Sequence, residues 1–431
     1  MHSQIPTSAF LRHLLGVLCA RCVIKHHSIN PLQRAGNLEF HFSFCLFPSP
    51  LTPRFGFQRE VFLHLLVCLI EHLYIHIPFC PNICPYCAFY KESAGRERVE
   101  TFLDALLKET GNWAKSLRPR TIFFGGGTPS ALSIPQFEKL LGGLRSHLDL
   151  SALEEWTIEM NPATVAADKA ALLRDAGINR ISMGVQSWDD QVLKSLGRTH
   201  DADRAEESFG TLRQAGFDNV SIDLIFGVPG QSLESWRSSL ERSLRLAPEH
   251  LSAYGLTYEE DTEFFRKLGR GEMAPDEGLE ADQFELTAEL LGNAGYLQYE
   301  VSNYSLPGRQ SQHNSAYWSG KDYLGLGPSA FSTVGSRRWR NIRETGIYSD
   351  TTLNGKTAVD FEEVVTPGLK ASERAAFGMR TLEGLPLAEA SPWESELCRI
   401  EKEGLVRRTS DRWLLTPRGR LLADTVAEIF V

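Results

Sequence analysis

The sequence predicts an α/β protein whose larger part is a partial (βα)6 barrel. Three observations lead there. Six short β-like runs alternate with five stretches of helical period, the pattern of parallel βα units. Crossovers of one hand close such units into a full or partial barrel. Most residues with obvious chemistry fall where the β runs end, on the face where such barrels place their working groups.

In chain order, Leu73–Ile77 is the first β run, and a loop with three cysteines follows it. A helical stretch from Arg98 to Leu117 repeats apolar residues at Phe102, Leu103, Leu106, Leu107 and Trp113. Thr121–Phe124 is the next strand, and it ends in Gly125-Gly126-Gly127-Thr128-Pro129. Helices over Ile134–Leu148, Ala166–Ala176, Ala202–Ala215 and Leu233–Leu246 then alternate with strands over Glu155–Met160, Arg180–Val185, Val220–Phe226 and Leu251–Leu256. Past residue 260 the alternation stops. Glu263–Leu291 reads as helical and acidic, and a polar loop from Tyr299 to Trp318 leads to the glycine-rich Gly325–Gly327. From about Phe361 the pattern is helix, turn, helix and hairpin. In the hairpin, Leu405–Arg408 and Arg412–Leu415 flank Thr409-Ser410-Asp411, and a last helix runs from Pro417 to Phe430. That order resembles a winged helix. The expected division is 1–72, a poorly ordered or spurious extension; 73–260, the barrel; 261–358, an extension that handles a ligand; and 359–431, a winged-helix-like α+β domain.

Composition narrows the function classes. A hydrophobic fraction of 42% is ample for a core, and a formal charge of -9 argues against a dedicated nucleic-acid surface. The basic cluster Arg407, Arg408 and Arg412 is too modest to change that. Of eight cysteines, three share one loop, four lie in the first 68 residues and Cys398 stands alone. This is not a disulfide framework, and it suits a reducing, cytoplasmic setting. The apolar run Val61–Ile70 is too short to span a bilayer. Met1–Ile70 holds only Glu39 and Glu60 against six Lys or Arg, as an upstream extension or an organellar presequence would. Within it, Cys19-x2-Cys22 near His26 and His27 has no supporting pattern and is read as coincidence rather than a metal site.

The stretch that organises the chain is Tyr74–Tyr90, in which Cys80, Cys84 and Cys87 stand as C-x3-C-x2-C. Three thiolates satisfy three corners of a cubane iron–sulfur cluster and leave the fourth iron open to a small molecule. Structural zinc wants four protein ligands, and no fourth Cys or His is suitably placed after Cys87. A disulfide would leave one thiol over. The cluster is the favoured reading, with zinc and plain core cysteines as the alternatives.

That spacing, with Tyr86 just before the last cysteine and Y-I-H-I-P-F-C leading in, resembles the signature of the radical S-adenosylmethionine (SAM) enzymes. The flanks narrow it to the branch of the oxygen-independent coproporphyrinogen III oxidases and the haem chaperones. The resemblance runs from about Leu73 to the C-terminus. It implies a TIM-like radical SAM barrel, a [4Fe-4S] cluster on Cys80, Cys84 and Cys87, and SAM on the open iron. It also implies roles at the strand ends. Gly126, Gly127 and Thr128 would contact the methionine part of SAM, and Glu159 its ammonium. Gln186 and Arg198 would bind SAM, the latter through its carboxylate. Asp223, in D-L-I-F-G-V-P-G-Q, would take the ribose hydroxyls. Tyr74 and Tyr86 would make adenine-side and cluster-side contacts, and Thr257 is a weaker addition. A structural turn, cap or surface charge is the plain alternative at each of these positions.

His313, Asn314, Tyr317 and Trp318 spell H-N-x-x-Y-W, which resembles a signature of this porphyrin-handling branch and makes His313 the candidate haem contact. Two functions follow from the resemblance. One is oxidative decarboxylation of coproporphyrinogen III, a coproporphyrinogen dehydrogenase type of oxidoreductase. The other is a chaperone that binds haem and delivers it to respiratory acceptor proteins. The oxidases carry a further cysteine two residues after the third; here that position is Phe89, as in the chaperones. The chaperone is therefore expected, with haem or porphyrin as ligand and a flavodoxin or ferredoxin as electron donor. Peripheral membrane contact belongs to the same expectation.

Overall fold

The computed structural model of the protein describes residues 69–93 and 95–430. Cys19, Cys22, His26 and His27, and nearly all of the extension expected over 1–72, lie outside the described residues. Six strands form the expected parallel series: β1 (Ile70–Ile77), β2 (Leu117–Gly126), β3 (Glu155–Met160), β4 (Arg180–Gln186), β5 (Val220–Phe226) and β6 (His250–Gly255). Three later strands extend this sheet. β7 (Leu297–Glu300) and β8 (Asn303–Ser305) add antiparallel on the β6 side, and β9 (Leu324–Leu326) adds parallel to β1. The resulting order, β7-β8-β6-β5-β4-β3-β2-β1-β9, is linear, so the barrel is partial.

Alternation along the strands sorts the side chains into two faces. One face sends Leu73, Ile75, Ile122, Phe124, Ile158, Ile181, Ile222 and Leu224 into the main core, where Phe102, Leu106, Phe137, Leu140, Leu173, Leu212, Trp236 and Leu240 of the helices cover them. The other face is polar along much of its length. It carries His72, Tyr74 and His76 on β1, Thr121 on β2, Glu155 and Glu159 on β3, Ser182 on β4, Ser221 and Asp223 on β5, and His250 and Ser252 on β6. Polar groups this deep must find partners or ligands, because an unpaired buried polar atom costs about 1–3 kcal/mol.

Several boundaries differ from expectation for physical reasons. β1 starts at Ile70 rather than Leu73, because Ile70 is itself buried in the core. The first helix covers Arg96–Trp113, and β2 already begins at Leu117. Pro119 disfavours helix at Arg118, and the burial of residues 117–121 alternates as a strand requires. Glu263–Leu291 is two helices, Glu263–Gly269 and Glu277–Asn293, broken where Gly271 turns to φ +71°. Pro417–Phe430 is interrupted at Leu422, which leaves helical geometry at φ −109°, ψ 29°. A six-residue helix, Asp190–Ser195, is too short for periodicity to reveal, and the Asp189 side chain caps it.

Beyond β9, two three-stranded antiparallel sheets complete the chain. Phe331–Val334, Arg337–Asn341 and Val359–Val364 form the first; Leu385–Pro386, Arg412–Leu415 and Val406–Arg408 form the second, in that spatial order. The second sheet and the helices Pro367–Met379 and Glu394–Lys402 make the expected winged-helix-like unit. The first sheet is pinned by Arg338, which is almost fully buried and paired with Glu373 at 2.6 Å and Glu363 at 2.8 Å.

Candidate metal and cofactor centre

The carboxyl ends of the strands surround one pocket, and Cys80, Cys84 and Cys87 all line it. Their loop is anchored from several sides. Cys80 N–H donates to the Glu92 carbonyl at 2.9 Å, and Phe264 N–H donates to the Pro85 carbonyl at 3.1 Å. Asn82 Nδ2 reaches the Gly197 carbonyl at 2.8 Å, and Lys91 Nζ donates to the Cys87 carbonyl. The glycine triplet forms the joint between this loop and β2. Gly127 and Thr128 donate to the carbonyls of Ile77 and Phe79, both at 2.8 Å. A Cβ on Gly127 would sit 2.8 Å from the Phe79 carbonyl oxygen, and Gly126 holds φ +107°. The backbone that approaches Gly127 closely is thus that leading into the cysteine loop, while Gly126 meets the His76 ring.

The chemistry of the cysteines fits a bound cationic centre. All four described cysteines are free of disulfides. Burial pushes the Cys80 thiol up to about 11 and raises that of Cys87, so the polypeptide alone favours neutral thiols. Metal coordination supplies the positive charge that makes thiolates stable in such a place. Donors already point at sulfur: Thr128 Oγ1 to Cys80 Sγ at 3.4 Å and Arg198 Nη1 to Cys84 Sγ at 3.7 Å. Among the described residues no three His, Cys, Asp or Glu side chains converge as ligands of a single ion. A cubane asks for no such convergence, since each cysteine binds a different iron. The three thiols and the donors at their sulfurs fit a cluster.

The same pocket is lined by Glu159, Gln186, Arg198, Asp223 and Thr257, and by Tyr86, Gly126, Gly127 and Thr128. Gln186 is the most telling. It sits at a bulge between β4 and β5 with φ +70°, a left-handed conformation that is uncommon outside glycine. Its side chain is buried, and Oε1 has no hydrogen-bond partner. A strained residue that aims an unsatisfied acceptor into a pocket is what a ligand N–H would complete. Arg198 is no solvated helix-end residue. Its Nη2 donates to the Gly184 carbonyl at 2.9 Å; burial opposes its charge, but Tyr86 and Cys84 beside it keep its pKa above the ordinary value. Asp223 accepts from Ser182 at 2.7 Å, Ser221 at 3.0 Å and Ser252 at 2.7 Å.

Two predicted site residues are not brought to the pocket wall. Tyr74 lies a layer deeper, because it precedes the end of β1 by three residues. Its ring stacks on Phe123, and its hydroxyl meets His76 Nδ1 at 3.1 Å. His313 corrects the expectation of a polar loop: Gln312–Trp318 is a short helix, capped by Ser311, and His313 is fully buried. His313 Nδ1 meets Thr121 Oγ1 at 2.7 Å, His313 Nε2 meets the Tyr317 hydroxyl at 2.9 Å, and the ring stacks on Phe123. Burial holds its pKa well below 6.5, so the ring is neutral. Glu155 accepts from the backbone of Gln312 at 2.8 Å and of His313 at 3.0 Å, which fixes the start of the helix. Ser182, Asn82, Lys91 and Tyr254 also line the pocket and were not singled out from the sequence. Only Ser182 had a signal, since it lies two residues before Gly184 on the same face of β4.

The comparisons with known proteins bear on the family and the fold. The family model of the radical SAM superfamily matches residues 74–242. The solved structure of the Escherichia coli coproporphyrinogen III oxidase HemN shares the fold, with a TM-score of 0.74 over 85% of this chain and 91% of that one, at 24% identity. Fold and matched region define a radical SAM protein. Curated relatives go further. Haem chaperone HemW of Lactococcus lactis subsp. lactis (strain IL1403) is 37% identical over 83% of this chain and 96% of its own length. HemW of Bacillus subtilis (strain 168) is 35% identical over 84% and 99%, and that of Escherichia coli (strain K12) 36% over 83% and 97%. The chain belongs to the HemW family of radical SAM proteins.

Proposed function

We propose that the protein is a haem chaperone that holds a [4Fe-4S] cluster and SAM, binds haem, and passes it to acceptor proteins such as respiratory enzymes. The observation that carries this is the identity of 35–37%, over nearly their whole length, to relatives named for that activity. Phe89 in the pocket wall favours it over the oxidase, for which the family resemblance calls for a cysteine at that position.

Bound on Cys80, Cys84 and Cys87, the cluster would supply an open iron corner and a source of one electron. The chain's own groups do the rest. Thr128 and Arg198 donate hydrogen bonds to the ligand sulfurs. Gln186 Oε1 offers an acceptor to an amine N–H, and Glu159 a carboxylate to the same positive group. Asp223, held by three serines, is set to accept from ribose hydroxyls. For haem, His313 is the candidate contact. Reaching it requires the His313 ring to give up its bonds to Thr121 and to Tyr317 of its own helix. An electron donor of the flavodoxin or ferredoxin kind would dock beside the cysteine loop. Cytoplasmic placement with peripheral membrane contact completes the proposal; among the described residues no helix is long and apolar enough to cross a membrane.

The test is anaerobic. Protein reconstituted with iron and sulfide receives reductant, SAM and coproporphyrinogen III, while a parallel sample is titrated with haem. Haem bound at about one per chain and passed to an acceptor, with no decarboxylated tetrapyrrole, is the expected result. Decarboxylation would make the protein an oxidase despite Phe89.

A further inference from the structure

One run of hydrogen bonds crosses the barrel interior beneath the pocket. Asp223 Oδ1 accepts from Ser221 Oγ at 3.0 Å, and Ser221 Oγ lies 2.8 Å from His250 Nδ1. His250 Nε2 lies 2.8 Å from the Tyr299 hydroxyl, whose oxygen accepts from the backbone N–H of Ser311 at 3.4 Å. Ser311 is the N-cap of the helix that carries His313. Every member is buried; the most exposed, Tyr299, reaches only 6%.

The protons on this run can be assigned. A carboxylate only accepts, so the Ser221 hydroxyl donates to Asp223 and His250 Nδ1 must carry its hydrogen. Burial holds His250 well below 6.5 and so neutral, which makes Nε2 the acceptor for the Tyr299 hydroxyl. All four bonds therefore donate in one direction, from the start of the helix toward the carboxylate. Bonds aligned in this way polarise and strengthen one another. At its far end Asp223 already accepts from three serines and lines the pocket. A ligand hydroxyl arriving there must share that carboxylate. The bond from Ser221 then weakens, and with it the hold of His250 on Tyr299 and of Tyr299 on Ser311.

We propose that His250 and Tyr299 are positioning residues that couple the Asp223 side of the pocket to the Gln312–Trp318 helix, so that SAM bound in the pocket loosens the helix that buries His313. The coupling presupposes SAM as the pocket's ligand, as proposed above; haem binding is not needed for it to be seen. By linkage, whatever draws His313 out would change SAM affinity by the same factor.

Hydrogen exchange tests it on the cluster-loaded protein, with and without saturating SAM. Amides of residues 311–318 should exchange roughly fivefold faster or more with SAM, the lower end of ordinary coupling between sites. Amides of Glu394–Lys402 serve as the unresponsive reference. Tyr299→Phe should remove the response while SAM affinity stays within about threefold, the effect of losing one distant hydrogen bond. Ser221→Ala, at the other end of the run, should remove it too and serves if Tyr299→Phe does not fold. Unchanged or slower exchange in the wild type, or a full response in these variants, overturns the coupling. Failure to bind SAM overturns both it and the cofactor proposal. A SAM-dependent response in a protein that binds no haem keeps the coupling and removes the haem reading alone.

Discussion

The mouth and the floor of the barrel are built from similar polar side chains and are satisfied in opposite ways. At the mouth, Gln186 is strained and leaves Oε1 unpaired, and desolvation holds the Cys80 and Cys87 thiols above their ordinary pKa. At the floor, His313, Thr121, Tyr317 and Glu155 complete one another, with contacts between 2.7 and 3.0 Å. The mouth leaves an acceptor for something the chain does not supply; the groups around His313 supply one another's partners. A ligand can therefore meet Gln186 Oε1 without displacing a partner, whereas a ligand of His313 must first break native bonds.

Substitutions that separate these two behaviours sharpen the contrast. The largest effect is expected for Cys84→Ala, which should abolish the visible absorption of the reconstituted cluster; a full four-iron content in that variant would break the assignment of the loop. Next comes the floor. Glu155→Ala strands the donors of Gln312 and His313 and should lower unfolding free energy by about 3 kcal/mol in urea titrations. Gln186→Leu should do the reverse: SAM binding roughly tenfold weaker by equilibrium titration, with stability nearly unchanged, because the lost acceptor had no partner in the protein. Equal stability losses in the two variants would erase the distinction. His313→Ala should weaken haem binding and leave the cluster spectrum intact; unchanged haem affinity would exclude that residue.

The last effect is a pH dependence. Burial lowers His76 to about 4, so the unfolded chain takes up a proton near 6.5 that the native state refuses until about 4. Stability contributed by the neutral ring is present above 6.5 and is lost as pH falls toward 4, by about 3 kcal/mol at most. His200 contributes with the same sign. Glu109 and Glu280, raised by burial to about 7, oppose it, since their stabilisation is lost as pH rises through 7. Comparing His76→Gln with the wild type at pH 7 and pH 5 isolates the one ring. Identical pH dependence would show that His76 titrates normally.

Much of the barrel was legible because its signals are local. The strands Glu155–Met160 and Val220–Phe226 end where their alternation and flanking turns say they should. The cysteine spacing names its chemistry without help from the fold. Tyr74 and His313 were harder to place. A motif match says that a residue matters, but depth along a strand and the cover given by another segment set what it touches. His250 and Tyr299 carried no signal at all. They stand 49 residues apart, and only the pairing of β6 with β8 brings the end of β7 beneath the pocket.

By itself, then, the sequence determined which residues could ligate metal, where the strands alternate with helices, and which strand ends carry acceptors and cations. Each depends on spacing within a few residues. Tertiary structure decided that Gln186 turns its acceptor into the pocket while Tyr74 does not, that His313 is sealed beneath rather than displayed, and that Asp223 is joined to the helix of His313. Those outcomes depend on which distant segments fill the barrel, and burial makes every polar group there find a partner or lack one.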